Sequence, residues 1–248
     1  MSSPPSLFAQ QDTSPTSPGK RGPRLLVTLA LAGLIAGLAT AGLDQPVALL
    51  CMKHPSLSWL ILGGPFGAMA GVSLFTYRVL RGFKGFLNAI LLVALSSCTF
   101  FISHHLAVYV ELALKKPFDM GQFPSNSPIS MFTGGFVGGL LLLGGAFLLV
   151  YPRSGFVTGM TTVKGLFASV FCGILGIAGW ALGPYLGIHV WSLLDTLSLT
   201  PSTETFQNML RSDISREYSL FVVWQTCTAL LLGFILQTAQ SQARLGSD

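Results

Sequence analysis

The stretch ISMFTGGFVGGLLLLGGAFLLVY, residues 129–151, decides the fold. It contains no charged residue, and at 1.5 Å rise per residue it crosses a hydrocarbon layer of about 30 Å as a single α-helix. Five further apolar segments share its character: Leu25–Leu43, Trp59–Leu80, Phe86–Leu114, Leu166–Leu194 and Tyr218–Leu236. The whole chain is 51% hydrophobic and only 9% charged, where a soluble domain carries roughly 25% charged residues. Its charges cluster between the apolar segments, as the cost of burying an ion in lipid requires. The expected fold is all-α, a polytopic transmembrane bundle of six spans occupying residues 25–237.

Residues 1–24, rich in Ser, Pro and Gln and ending in Lys20, Arg21 and Arg24, read as a disordered basic tail. Residues 238–248 form a short second tail. Ala39-Thr40-Ala41 resembles a signal-cleavage site, but the apolar run continues to Leu43 and outlasts an ordinary signal core, so the first span is expected to be retained. Before the last span, Pro201-Ser202 starts a segment in which Phe206, Met209, Leu210 and Ile214 recur at helical spacing. That pattern predicts an amphipathic helix over about 202–216, lying on the membrane surface or docking a partner.

Basic residues set the orientation. One side would hold Lys20, Arg21, Arg24, Arg78, Arg81, Lys84, Arg153, Lys164 and Arg244, and the other Lys53, Lys115, Lys116, Arg211 and Arg216. This bias predicts both termini on the cytoplasmic or matrix side of a bacterial plasma membrane or an organellar inner membrane. The basic pI of about 9.2 thus reflects topology, and no basic patch with interleaved aromatics points to nucleic acid.

The second and third spans echo the fourth and fifth. Gly63-Gly64 with Gly67 matches Gly134-Gly135 with Gly138, Lys84-Gly85 matches Lys164-Gly165, and His105 and Tyr109 fall opposite Tyr185 and His189. Two readings stand: composition shared by apolar helices, or a duplicated hairpin related by an axis along the bilayer normal.

Glycine is the most informative residue type. Gly63, Gly64, Gly67, Gly134, Gly135, Gly138 and Gly139 are expected to pack helices, because small residues four apart let backbones approach where lipid removes the hydrophobic drive. Such faces would serve a tight bundle or neighbouring subunits.

His104, His105 and His189 are the candidates for metal or haem ligation, since two helical histidines can hold a b-type haem. Depth argues against a mid-membrane site: His105 lies about 30 Å along the helix from Lys84, at the outer rim, where Tyr109, Tyr185, Trp180 and Trp191 suggest an aromatic belt. No cofactor is therefore expected, with haem b as the exception to watch. The polar groups at depth are neutral: Asn88, Ser96, Ser97, Thr99 and Gln225 are candidates for solute contact, or for interhelical hydrogen bonds. Cys51, Cys98, Cys172 and Cys227 are scattered without metal-ligand spacing.

No zinc-protease motif, nucleophile with paired histidine or phosphate loop occurs, so the expectation is a non-enzyme. Two classes remain. An accessory or scaffold subunit of a larger membrane complex would use the glycine faces to meet other membrane-protein subunits as well as the lipid bilayer. A small transporter or channel for a neutral or hydrophobic solute would need a mid-depth cavity lined by Asn88, Ser96–Thr99 and Gln225. A haem-carrying electron-transfer subunit is the third.

Overall fold

The computed structural model describes residues 21–77, 79–114, 127–150, 155–183 and 214–245, with single positions at 185, 189, 192 and 196. Six helices account for nearly all of it: α1 (Arg21–Leu50), α2 (Pro55–Thr76), α3 (Gly82–Leu114), α4 (Pro128–Val150), α5 (Gly155–Ala181) and α6 (Ile214–Leu245). No strand occurs among the described residues. Each helix contains a stretch long and apolar enough to cross a membrane. Their outward faces carry Leu31, Ile35, Val72, Phe75, Phe86, Ile90, Leu148, Phe167 and Phe234, all exposed. Water would penalise such a surface, whereas acyl chains do not, and the chain is an integral membrane protein in contact with a lipid bilayer.

The helices form a closed ring in chain order. The closest pairs are α2 with α3, α1 with α6, and α4 with α5; α3–α4, α1–α2 and α5–α6 complete the circle. Contacts run in opposite sense along each pair. Gly33 lies at Gln225 and Gly37 at Val222, while Gly63 lies at Ser96 and Gly67 at Leu92. Neighbours are therefore antiparallel, and the start of α1 and the end of α6 share one end of the bundle. The opposite, far end is where α2, α4 and α6 begin.

Glycine explains how the pairs close. A Cβ placed on Gly67 would stand 2.5 Å from the Val93 Cα, and one on Gly135 would stand 2.5 Å from the Cys172 carbonyl oxygen. Real side chains never come so close to backbone, so these positions accept only hydrogen. In return the facing backbones gain dispersion contact that lipid cannot match. These contacts also set the register of the two echoing hairpins. Gly67 and Gly135 face Leu92 and Cys172, which correspond in the alignment that matches Lys84 with Lys164. Gly138, the sequence match of Gly67, lies one turn further on.

Pro65 removes a backbone N–H from the middle of α2. In that weakened turn the Leu62 carbonyl accepts from Thr40 Oγ1 at 3.2 Å, and the Gly63 carbonyl accepts from Ser96 Oγ at 2.7 Å. These hydroxyls add interhelical bonds beside the proline, whose own lost donor belongs to the Ile61 carbonyl.

Boundaries depart from expectation at several ends. Helix α1 runs on to Leu50 and carries Pro46 inside it, while α6 is far longer than its apolar segment, from Ile214 to Leu245. Beyond Ala181 the chain makes a turn at Leu182, and the described positions Gly183, Tyr185, His189, Ser192 and Thr196 are again helical. Helix α5 ends at Ala181, and the Tyr185 N–H turns back to the Leu182 carbonyl at 3.0 Å. Gly183-Pro184 is the reason, since proline lacks the donor and restricts the residue before it. The counterpart α3 stays unbroken to Leu114. The amphipathic segment over about 202–216 falls almost wholly outside the described residues, as does the 1–20 part of the basic tail.

Candidate functional site: an aromatic cavity in the far half of the bundle

In the far half of the ring lies a partly open pocket of about 100 Å3. Trp59 comes from the start of α2, and Phe100, Ser103, His104 and Ala107 from α3. Met131, Gly134 and Gly135 come from the first turns of α4, Gly176 from α5, and Leu220, Phe221 and Trp224 from α6. Large rings come from α2, α3 and α6, whereas α4 and α5 contribute glycines at close helix approaches: a Cβ on Gly135 would stand 2.5 Å from the Cys172 carbonyl oxygen and one on Gly176 2.6 Å from the Met131 carbonyl oxygen. Four of the five lining rings stack or tilt against one another. Trp59 stacks on His104 with centroids 3.4 Å apart and planes 15° apart, and Phe100 lies 5.5 Å from Phe221. Trp59 also stacks at 6.1 Å from Phe100. No Asp, Glu, Lys or Arg contributes to the lining.

Two buried polar atoms on lining residues lack a partner among the described residues. Ser103 Oγ and Trp224 Nε1 are buried and make no hydrogen bond within the chain. Trp224 as a whole is only 8% exposed. An indole N–H can only donate, so it asks for an acceptor, while the serine hydroxyl can do either. Leaving such groups unpaired in a low-dielectric interior costs about 1–3 kcal/mol each. Gly138 lies between them, for a Cβ there would stand 2.8 Å from Ser103 Oγ and 3.0 Å from the Trp224 ring.

Just beyond the cavity, Glu111 secures the junction of α3 and α4. Its side chain is 4% exposed, and its Oε2 accepts the Ser127 backbone N–H at 2.7 Å. Ser127 in turn accepts the Ser130 N–H on its hydroxyl at 3.2 Å, capping α4. The carboxylate therefore does not point into lipid headgroups but stabilises a helix start, where negative charge is favoured.

The neutral polar residues expected to contact solute lie elsewhere, and none of them lines this cavity. Asn88 Nδ2 donates to the Leu149 carbonyl at 2.8 Å, tying α3 to α4. Ser96 serves α2 as described, Ser97 faces Gly64, and Thr99 is buried. Gln225, fully buried, donates from Nε2 to Thr40 Oγ1 at 2.9 Å. Because the one Thr40 proton goes to Leu62, Gln225 must present its N–H there, and its Oε1 is left without a partner.

The three histidines are not equivalent. His104 turns inward against Trp59, while His105 is exposed and its Nδ1 lies 2.9 Å from the Phe101 carbonyl. His189 is exposed, like Tyr109 and Tyr185, in keeping with a rim of interfacial rings. Among the described residues, no group of three or more His, Cys, Asp or Glu side chains gathers.

The seven glycines singled out by spacing divide by contact. Gly63, Gly67, Gly135 and Gly139 meet backbone or Cβ atoms of a partner helix at 2.5–2.7 Å from their would-be Cβ, and Gly134 meets Ala107 and Ser103 at 3.2 Å. Gly138 meets side chains, Ser103 Oγ at 2.8 Å and the Trp224 ring at 3.0 Å. Gly64 has only Ser97 Oγ near it, at 3.8 Å. Spacing alone had not distinguished Gly145, Gly173 and Gly233, which press on Leu95, Phe132 and Leu26 respectively. No protein-family model, curated protein or solved structure matches the chain.

Proposed function

We propose that this integral membrane protein binds a small neutral solute in its far-half cavity, entered from the side opposite its termini. The observation that carries this reading is the apolar, ring-lined space itself, with Ser103 and Trp224 among its lining residues. Mostly apolar walls with a few placed polar groups are what small-molecule sites are built from. The lining carries no charged side chain to favour an ion. Toward the termini the ring is held by the Gly67–Leu92 approach and the Gln225–Thr40–Leu62 chain, so binding rather than open conduction fits the arrangement. With the basic residues as guide, the termini lie on the cytoplasmic or matrix side and the cavity faces away from it.

The accessory-subunit reading draws less support. It leans on glycine faces offered to other chains, and Gly33, Gly37, Gly63, Gly67, Gly135 and Gly139 are spent on contacts within this one. The test is a titration of the purified chain in lipid nanodiscs with benzene, read by intrinsic tryptophan fluorescence, since Trp59 and Trp224 line the space. A saturable change that Ala107→Leu abolishes is expected; a change no different from partitioning into protein-free nanodiscs would remove the proposal.

A further inference from the structure

We infer that the end of the bundle where α1 begins and α6 ends holds anionic phospholipid, with a headgroup phosphate at Arg24, Arg81 and Lys84 and acyl chains along the exposed faces beside them. This surface lies at the opposite end from the pocket, so it stands apart from the solute-binding reading.

Charge comes first. Among the described residues, Arg21, Arg24, Arg81, Lys84, Lys164 and Arg244 belong to this end, and no Asp or Glu does. Asp44, Glu111 and Glu217 all lie toward the far end, Asp44 about 30 Å along α1 from Arg24. The cations do not serve their own helices. Arg21 and Arg24 stand in the first turn of α1 and Lys84 in the first turn of α3, where the helix dipole favours negative charge, and neither turn contains an acid. The described helices offer them no counter-charge.

Packing gathers three of these residues. Thr28 Oγ1 and the Tyr77 hydroxyl meet at 2.8 Å, setting the start of α1 beside the end of α2. Arg24 lies one turn before Thr28 on the same face of α1. After Tyr77 the chain turns tightly. The Leu80 N–H returns to the Leu74 carbonyl at 3.2 Å, Gly82 takes a φ of 60°, and a Cβ on Gly85 would stand 2.7 Å from the Leu80 carbonyl carbon. Arg81 and Lys84 are thereby held at the corner that α1 enters with Arg24, and all three are exposed.

The same corner has an apolar flank. Phe83 is 82% exposed, and Val27, Phe86 and Ile90 are exposed as well. Water would penalise these side chains, so they sit among acyl chains and the neighbouring cations stand at headgroup depth. An anionic phospholipid brings an anion and hydrocarbon in one molecule, whereas a soluble anion or a nucleic acid brings only the first. Each Lys or Arg near an anionic leaflet adds to that attraction.

The test places spin-labelled phosphatidylglycerol or phosphatidylcholine, at trace level, in phosphatidylcholine nanodiscs holding the full chain. The immobilised fraction of the spin-resonance spectrum reads association with the protein. About fivefold preference for phosphatidylglycerol is expected. Arg24→Gln with Lys84→Gln should bring it to about twofold or less. Lys53→Gln, an exposed cation at the far end, should leave the preference in place. Both leaflets of a disc share one composition, so reversed insertion of a variant cannot imitate the loss. Lys84→Gln alone should lower the preference in part, and it keeps the assignment testable should the double variant misfold. Equal association of the two lipids with the wild-type chain overturns the inference, and so does a preference that survives the double variant. A preference abolished by inorganic phosphate, but not by chloride at the same ionic strength, would mark a free-phosphate site and overturn the lipid assignment.

Discussion

Gln225 Nε2 and Thr40 Oγ1 meet at 2.9 Å across 185 positions of sequence, joining the last helix to the first. Thr40 passes its own proton to the Leu62 carbonyl, so one buried chain of hydrogen bonds ties α6, α1 and α2. It closes the ring at the seam where the two ends of the membrane domain meet. Thr40→Val keeps the shape and removes the hydroxyl, leaving the Gln225 amide N–H unpaired. A loss of about 1–2 kcal/mol is expected by denaturation in mixed micelles. The double variant Thr40→Val with Gln225→Leu should lose less than the two single changes added together, because both partners are then gone.

Glycine substitutions should sort by what their Cβ would meet. Gly67→Ala and Gly135→Ala push a methyl into backbone at 2.5 Å and should cost about 1–3 kcal/mol or more. Gly144→Ala, which meets nothing within 4 Å, should be neutral or slightly stabilising through helix propensity. Thermal unfolding in one detergent, compared across the three variants, checks the order; a uniform penalty would contradict the packing described for α2–α3 and α4–α5.

Glu111 should matter through its carboxylate oxygen rather than through its charge alone. Glu111→Gln retains an acceptor for the Ser127 N–H and should be mild. Glu111→Ala strands that N–H and is expected to cost about 1–3 kcal/mol. Hydrogen exchange should then quicken first at the start of α4, over Ser130 and Met131, before the other helices respond.

Orientation is open to a labelling experiment. Cys51 sits in the turn between α1 and α2, outside the helices that hold Cys98, Cys172 and Cys227. A membrane-impermeant maleimide should label it from the side away from the termini, while tags at both ends stay inaccessible until the membrane is opened. Labelling of Cys51 only after permeabilisation would reverse the assigned sides.

Six spans were legible because lipid imposes one rule on all of them: some 20 uncharged residues per crossing with every backbone group paired internally. The break after Ala181 was written in Gly183-Pro184, yet the surrounding leucines carried the hydropathy past it. The site was less legible for a different reason. Depth counting selects polar residues, and Asn88, Ser96 and Gln225 have the right type but spend their donors on neighbouring helices. Trp224 reads in sequence as one more apolar residue. Only the assembled ring shows that Trp224 and Ser103 line one space. His104 and His105 are adjacent in sequence, and the helix turns one toward Trp59 and the other outward.

The central claim is that the space between Trp59, Phe100 and Trp224 receives a small, mostly apolar molecule. Crystals of the full chain pressurised with xenon test it most directly, because xenon enters apolar cavities of this size and scatters anomalously. The account predicts a strong anomalous peak between those three rings, weakened or lost in Ala107→Leu. Xenon found only along the lipid-facing surfaces, with none inside the ring, would contradict it.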